Sequence, residues 1–176
     1  IERLLPLTGN QDQVVRGVFK NRLDADEKLK LLIIGSTAMD AGEPGYAERL
    51  RLALFNSYGD FVDVSIKSFD GTSASFITNV QEEVDFGEEF DVVLVEPFFV
   101  ANNGFVTIEN QEAHILQFQE LVQAAVEDAV VILHPSQPLH GAGYSPNEVA
   151  AIKSFAVSIE IPYVDHWCSW PGTDWH

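Results

Sequence analysis

Residues able to take part in acyl transfer recur at one kind of place in this chain, just after a β-rich run. Ser36 follows Gly35 at the end of residues 29–35, and Gly71 lies in Asp70-Gly71-Thr72 after residues 61–67. Glu96 ends residues 90–96, with Asn102 and Asn103 shortly beyond; His134 follows residues 129–133, and Asp165 and His166 follow residues 161–164. A hydroxyl, a bare glycine amide, a carboxamide, imidazoles and a carboxylate meeting in one crevice would supply a nucleophile, oxyanion donors and proton carriers.

Each of these residues also has a plainer reading. A strand followed by Gly-Ser-Thr describes an ordinary βα turn, and Gly71 answers equally to an oxyanion donor and to a turn glycine. Glu96 ends an apolar strand, where a carboxylate must find hydrogen-bond donors, so it is either tied to a loop amide or part of a site. His134, in His134-Pro135-Ser136, and His140, in a glycine-flanked loop, read as structural before catalytic, and His114 sits on a helix face with no site role. Asn103-Gly104 between two β-forming runs signals a hairpin turn, which leaves Asn102 as the side-chain donor. Neighbours on an extended chain point in different directions, so Asp165 is not assumed to orient His166. Trp167, Trp170 and Trp175 make an aromatic tail suited first to packing and second to a sugar ring.

The elements that must position these groups follow from periodicity. Asn10 and Gln13 form a capping-box pattern before Val14, Val15, Val18 and Phe19 at helical spacing. Further helical stripes run through Tyr46, Leu50 and Leu54, through Phe76, Ile77 and Val80 after Ser73, and through Ile115, Phe118, Leu121 and Val122. Ser145, Pro146 and Glu148 give an N-cap, a first-turn proline and a capping-box partner for a last helix. Five β-runs alternating with helices predict a three-layer αβα sandwich. Its sheet is five-stranded, parallel and flavodoxin-like, with right-handed crossovers, so the loops after the strands share one edge.

Composition narrows the partners. At 176 residues and 19.5 kDa the chain reads as one domain over residues 1–176. Ten basic against 27 acidic residues give a net charge of -17, which repels phosphate backbones and anionic lipid and argues against nucleic acid. Residues 68–176 carry 17 of the acids and a single base, Lys153, which reads as a solvated acidic face. No aliphatic run approaches the ~20 residues of a membrane span. The lone Cys168 forms no internal bridge, no Cys/His cluster has zinc spacing, and no glycine-rich phosphate loop is present, so no cofactor is expected. A start at Ile1 leaves room for an export signal or anchor upstream.

The order Ile34-Gly35-Ser36-Thr37, Asp70-Gly71-Thr72, Asn102 and Asp165-His166 resembles the GDSL/SGNH hydrolase family across about residues 29–167. Leu32-Ile33-Ile34-Gly35-Ser36, Glu96-Pro97-Phe98 and Ile161-Pro162-Tyr163-Val164-Asp165-His166-Trp167 are similar to a bacterial, surface-associated branch of it. The resemblance implies a serine esterase. Ser36 is then the nucleophile, the Ser36 and Gly71 amides and the Asn102 side chain form the oxyanion hole, and a late histidine is the base. Three departures stand out: the family's Gly-Asp-Ser is Ile34-Gly35-Ser36 here, Asn102 needs a shifted alignment, and the usual Asp-x-x-His is replaced by adjacent Asp165-His166. Within the chain His166 with Asp165 is the first choice for the base and His176 the second; a base beyond residue 176, with a C-terminal helix, is the open alternative.

The expectation is therefore hydrolysis of a small acyl ester, O-acetyl first, on a carbohydrate or cell-surface glycan through an acyl-enzyme. Glu96 and His134 are expected to meet substrate. A non-catalytic glycan- or protein-binding module on the same fold is the alternative. An extracellular or cell-surface location follows from the resemblance, with the cytoplasm as alternative.

Overall fold

A computed structural model of the chain describes residues 4–9, 11–138 and 145–167. Four parallel strands form one sheet in the order β2-β1-β3-β4: β1 Leu29–Ser36, β2 Val62–Phe69, β3 Val92–Val95 and β4 Val130–Leu133. β1, β3 and β4 are apolar along nearly their whole length because helices cover both faces, as the parallel arrangement requires. On one face Val15 and Phe19 of α1 (Gln13–Ala25) and Ala47 of α2 (Tyr46–Tyr58) pack on Leu31, Ile33, Leu94 and Ile132. On the other, α3 (Ser73–Glu83), the short α4 (Phe99–Asn102), α5 (Ile108–Ala125) and α6 (Ser145–Ser158) pack on Leu32, Ile34, Val93, Val95, Val131 and Leu133. The two sets of strand residues alternate, as side chains on a pleated strand must.

Three expectations are corrected. The fifth strand is reduced to a single parallel bridge between Leu133 and Tyr163, with Pro162 O accepting from Leu133 N at 2.9 Å and Val164 N donating to Leu133 O at 2.8 Å. The segment keeps the fifth position beside β4, but β4 is only four residues long and Pro162 has no N–H to extend the ladder. Second, residues 98–106 form no hairpin. Phe98 adopts φ 63°, Phe99 N donates to Glu96 Oε1, and a helical turn follows, closed by Phe105 N and Val106 N on Asn102 O. The side chain of Glu96 thus captures the amide that a strand would have used, and Gly104 (φ 74°) serves the exit from α4 instead of a hairpin. Third, α1 is capped by Asp12, whose Oδ1 accepts from Val14 N at 2.9 Å; Asn10 lies outside the described residues. Thr72 caps α3. Among the described residues no helix is long and apolar enough to cross a membrane.

Candidate active site

The ends of β1, β3 and β4 meet in a row set by register. Ile34, Val95 and Leu133 are aligned across β1, β3 and β4, so Gly35, Glu96 and His134 are the next row, tied by Glu96 N on Ile34 O (2.8 Å) and His134 N on Val95 O (3.1 Å). The Glu96 side chain lies across Gly35: a Cβ there would stand 2.6 Å from Glu96 Cβ and 2.9 Å from its Oε2. Only glycine admits this crossing. Having crossed, Glu96 Oε2 accepts from both Ser36 N (2.9 Å) and Ser36 Oγ (2.7 Å), while Oε1 accepts from Phe99 N (3.0 Å). Ser36 Oγ in turn accepts from Ala38 N at 3.4 Å, capping the helical turn Thr37–Asp40. Ser36 is 2% exposed and Glu96 0%. Burial raises the Glu96 carboxyl above the ordinary carboxylate range, with the Ser36 and Phe99 donors opposing it. Thr37, the next residue, is exposed.

The neighbouring loops are tightly built. A Cβ on Gly71 would lie 2.6 Å from Ser75 Oγ and 2.7 Å from the Phe69 ring, so this loop, too, needs its glycine. Buried Asn102 accepts from Ser73 N on its Oδ1 at 2.8 Å, leaving Nδ2 a longer 3.4 Å contact with Pro97 O. That bond joins the loops after β2 and β3. Ser73 Oγ meets His114 Nδ1 at 2.9 Å, which brings a histidine without an expected role beside these loops, and burial lowers its pKa.

At the β4 end three rings cluster. Tyr46, His134 and His166 have centroids 5.3, 5.4 and 5.6 Å apart. Fully enclosed His134 has its Nδ1 2.9 Å from Pro135 O and 3.3 Å from Tyr46 Oη, and its Nε2 has no partner among the described residues. Burial pushes His134 down to about 3, so the ring is neutral. His166 Nε2 donates to the same Pro135 O at 2.8 Å, and burial lowers its pKa as well, opposed in part by the Asp165 charge. Tyr46 is raised by burial and by the charge of Glu96. Tyr46 and His166 also line a cavity of about 300 Å³ floored by Leu31, Leu94 and Ile132.

Several expected partnerships take a different form. Ser36 hydrogen-bonds Glu96 and Ala38, and Asp165 takes Lys153 Nζ (2.6 Å) and Trp167 N (3.2 Å). That pairing holds Asp165 below the usual carboxylate range. Glu96 and His134 lie behind the site's surface, against the expectation that they meet substrate: both are wholly enclosed. His140 and His176 lie outside the described residues. Tyr46, unread in the sequence as a site residue, stands at the centre; its place at the first turn of the first crossover helix was the available signal.

A doubly wound, parallel αβα sheet with its polar groups at the strand C-termini defines a broad class of ligand-binding and catalytic folds. Within it, the chain has the fold of the GDSL/SGNH hydrolases. It is similar to a protein described as a GDSL-like lipase from Parabacteroides merdae (TM-score 0.67, 10% identity, covering 80% of this chain and 78% of that one). An acetylxylan esterase from Geobacillus stearothermophilus aligns with TM-score 0.63 and 16% identity over 80% of this chain and 77% of the other. A protein described as an acylhydrolase from Bacteroides fragilis gives 0.55 and 18% over 90% and 80%. No protein-family model matches the sequence, and no curated protein does.

Proposed function

We propose that the chain is an ester hydrolase that removes a small acyl group, acetyl first, from a carbohydrate or cell-surface glycan by two-step acyl transfer. A hydroxyl of the Gly35-Ser36-Thr37 turn, where the sequence motif names Ser36, attacks the ester carbonyl. His166 takes the proton and returns it to the leaving alcohol, with Asp165 raising its basicity through charge. The Gly71 amide and the Asn102 carboxamide receive the oxyanion, each such donor lowering the barrier by about 3 kcal/mol. Water then releases the acid.

The observation that carries this reading is the β1/β2 register, which ends with Ser36 opposite Phe69 and so sets the β1 turn next to the Gly71 loop, together with the 2.8 Å bond from Ser73 N to Asn102 Oδ1, which ties that loop to Asn102. The fold shared with acetylxylan esterases supports the choice of acetyl and of a sugar. Hydrolysis of a short-chain aryl ester and deacetylation of acetylated xylo-oligosaccharides test it; release of acetate at rates lost on His166→Ala is expected, and no release from either substrate overturns it.

A second reading, a glycan-binding module without turnover, is favoured by one fact: the motif serine is enclosed and bound to Glu96 instead of to an imidazole. Retention of the glycan without acetate release would select it.

A further inference from the structure

On the ester-hydrolase reading, we propose that the attacking hydroxyl is that of Thr37, one residue beyond the serine the sequence motif singles out, and that Ser36 is the cap that holds the turn.

The Ser36 hydroxyl has one proton, and it lies on Glu96 Oε2 at 2.7 Å; its lone pairs face Ala38 N at 3.4 Å. To attack a carbonyl it would have to leave a fully buried carboxylate and uncap the following turn. The Glu96 side chain reaches this position only because Gly35 carries no Cβ to exclude it. Nor is the Ser36 amide available to an oxyanion, since it donates to the same Oε2 at 2.9 Å. With 2% of its surface exposed, Ser36 has no face to offer a substrate.

Thr37 has the opposite properties. It is exposed and begins the helical turn Thr37–Asp40. The residue therefore stands exposed at the open end of β1. Register places that residue well: Ser36 pairs with Phe69, which sets Thr37 beside Asp70 and Gly71, the loop proposed to help bind the oxyanion.

The chemistry is that of any hydroxyl nucleophile. Thr37 Oγ1 bonds to the ester carbonyl carbon as its proton passes to an imidazole; the oxyanion collapses, the C–O bond to the alcohol breaks, and the alcohol leaves with that proton. Water repeats the sequence on the acyl-threonine, giving the acid and the free hydroxyl.

The test is fluorophosphonate labelling of the full chain, with the adduct located by peptide mass spectrometry, alongside aryl-ester turnover in Ser36→Ala, Thr37→Ala and Thr37→Ser. The adduct is expected on Thr37. Thr37→Ala should lose both adduct and turnover, the latter by about 10³-fold or more, at an unchanged melting temperature, and Thr37→Ser should keep both. Ser36→Ala should melt earlier yet still carry its adduct on residue 37. An adduct on Ser36 overturns the inference, as does full turnover in Thr37→Ala. Turnover with no adduct in this turn overturns it while leaving the ester-hydrolase reading intact; absence of both in the unaltered chain removes that reading and this inference together.

Discussion

At the β1–β3 end of the site, Glu96 accepts from Ser36 and Phe99, crosses Gly35, and leaves both carboxylate oxygens bonded. At the β4 end, His134 keeps an unpartnered Nε2 among the described residues, and Asp165 is bonded to Lys153 outside the ring cluster. The first end is a closed hydrogen-bond network and the second an incompletely satisfied one. Buried networks of the first kind fix backbone geometry, because losing one member strands the rest; those of the second kind retain capacity to bind or to move a proton. Both ends carry side chains of kinds that serve in catalysis, a hydroxyl and a carboxylate at one and imidazoles and a carboxylate at the other, so type alone does not tell scaffold from reactive group. Commitment of donors and acceptors does.

The severest way to break this contrast is to remove the centre of the closed network. Glu96→Ala strands the Ser36 and Phe99 amides and leaves a void over Gly35, which should cost about 4 kcal/mol of stability. Denaturant midpoints measure it, and a loss below about 1 kcal/mol would show that the network is not what holds these strand ends.

Acid probes the incomplete end. His134 ionises with a pKa near 3 folded, against the 6.5 of an ordinary histidine, so its contribution is complete above pH 6.5 and is lost as pH falls toward 3. Each unit in that window removes about 1.4 kcal/mol. Glu96 acts oppositely: its raised pKa favours the folded state as pH falls, so the informative quantity is the difference between the parent and His134→Leu. Stability curves at successive pH values should show that difference shrinking by about 2–3 kcal/mol between pH 6.5 and 4.5. Parallel curves would mean that His134 is not held neutral by enclosure.

A finer cut separates adjacent hydroxyls. Ser36→Ala removes a cap and a donor to buried Glu96, for an expected loss of about 2 kcal/mol, whereas exposed Thr37→Ala should stay within about 0.5 kcal/mol. Equal losses in thermal melts would erase the distinction between cap and presented residue.

The parallel αβα fold was legible because β-rich runs and helical stripes alternate cleanly, and so was the edge at which polar residues collect. What could not be read was which atoms were already committed. The Glu96–Ser36 bond spans 60 positions and depends on the absence of a Cβ at Gly35, a steric fact that local pattern does not contain. The same carboxylate turned an apparent Asn103-Gly104 hairpin into α4, a tertiary override of strong turn chemistry. Of the two readings of Glu96, the bond to a loop amide is the one the structure displays, through Phe99 N.

The smallest effects lie at Asp165, and they test whether its charge reaches His166 at all. Its bond to Lys153 is partly solvated, with side chains 35% and 51% exposed, so Asp165→Asn should change stability by no more than about 0.5 kcal/mol. The imidazole is the sensitive reporter. Asp165 raises the His166 pKa against the lowering by burial, so Asp165→Asn should move that pKa further down and carry the acid limb of the rate profile with it. Lys153→Ala should do the reverse, because removing the ammonium leaves the Asp165 charge uncompensated beside the ring. NMR titration of His166 in the two variants should therefore give shifts of opposite sign; a common direction would mean that the ion pair acts on the imidazole through backbone displacement, and Asp165 would lose its electrostatic role.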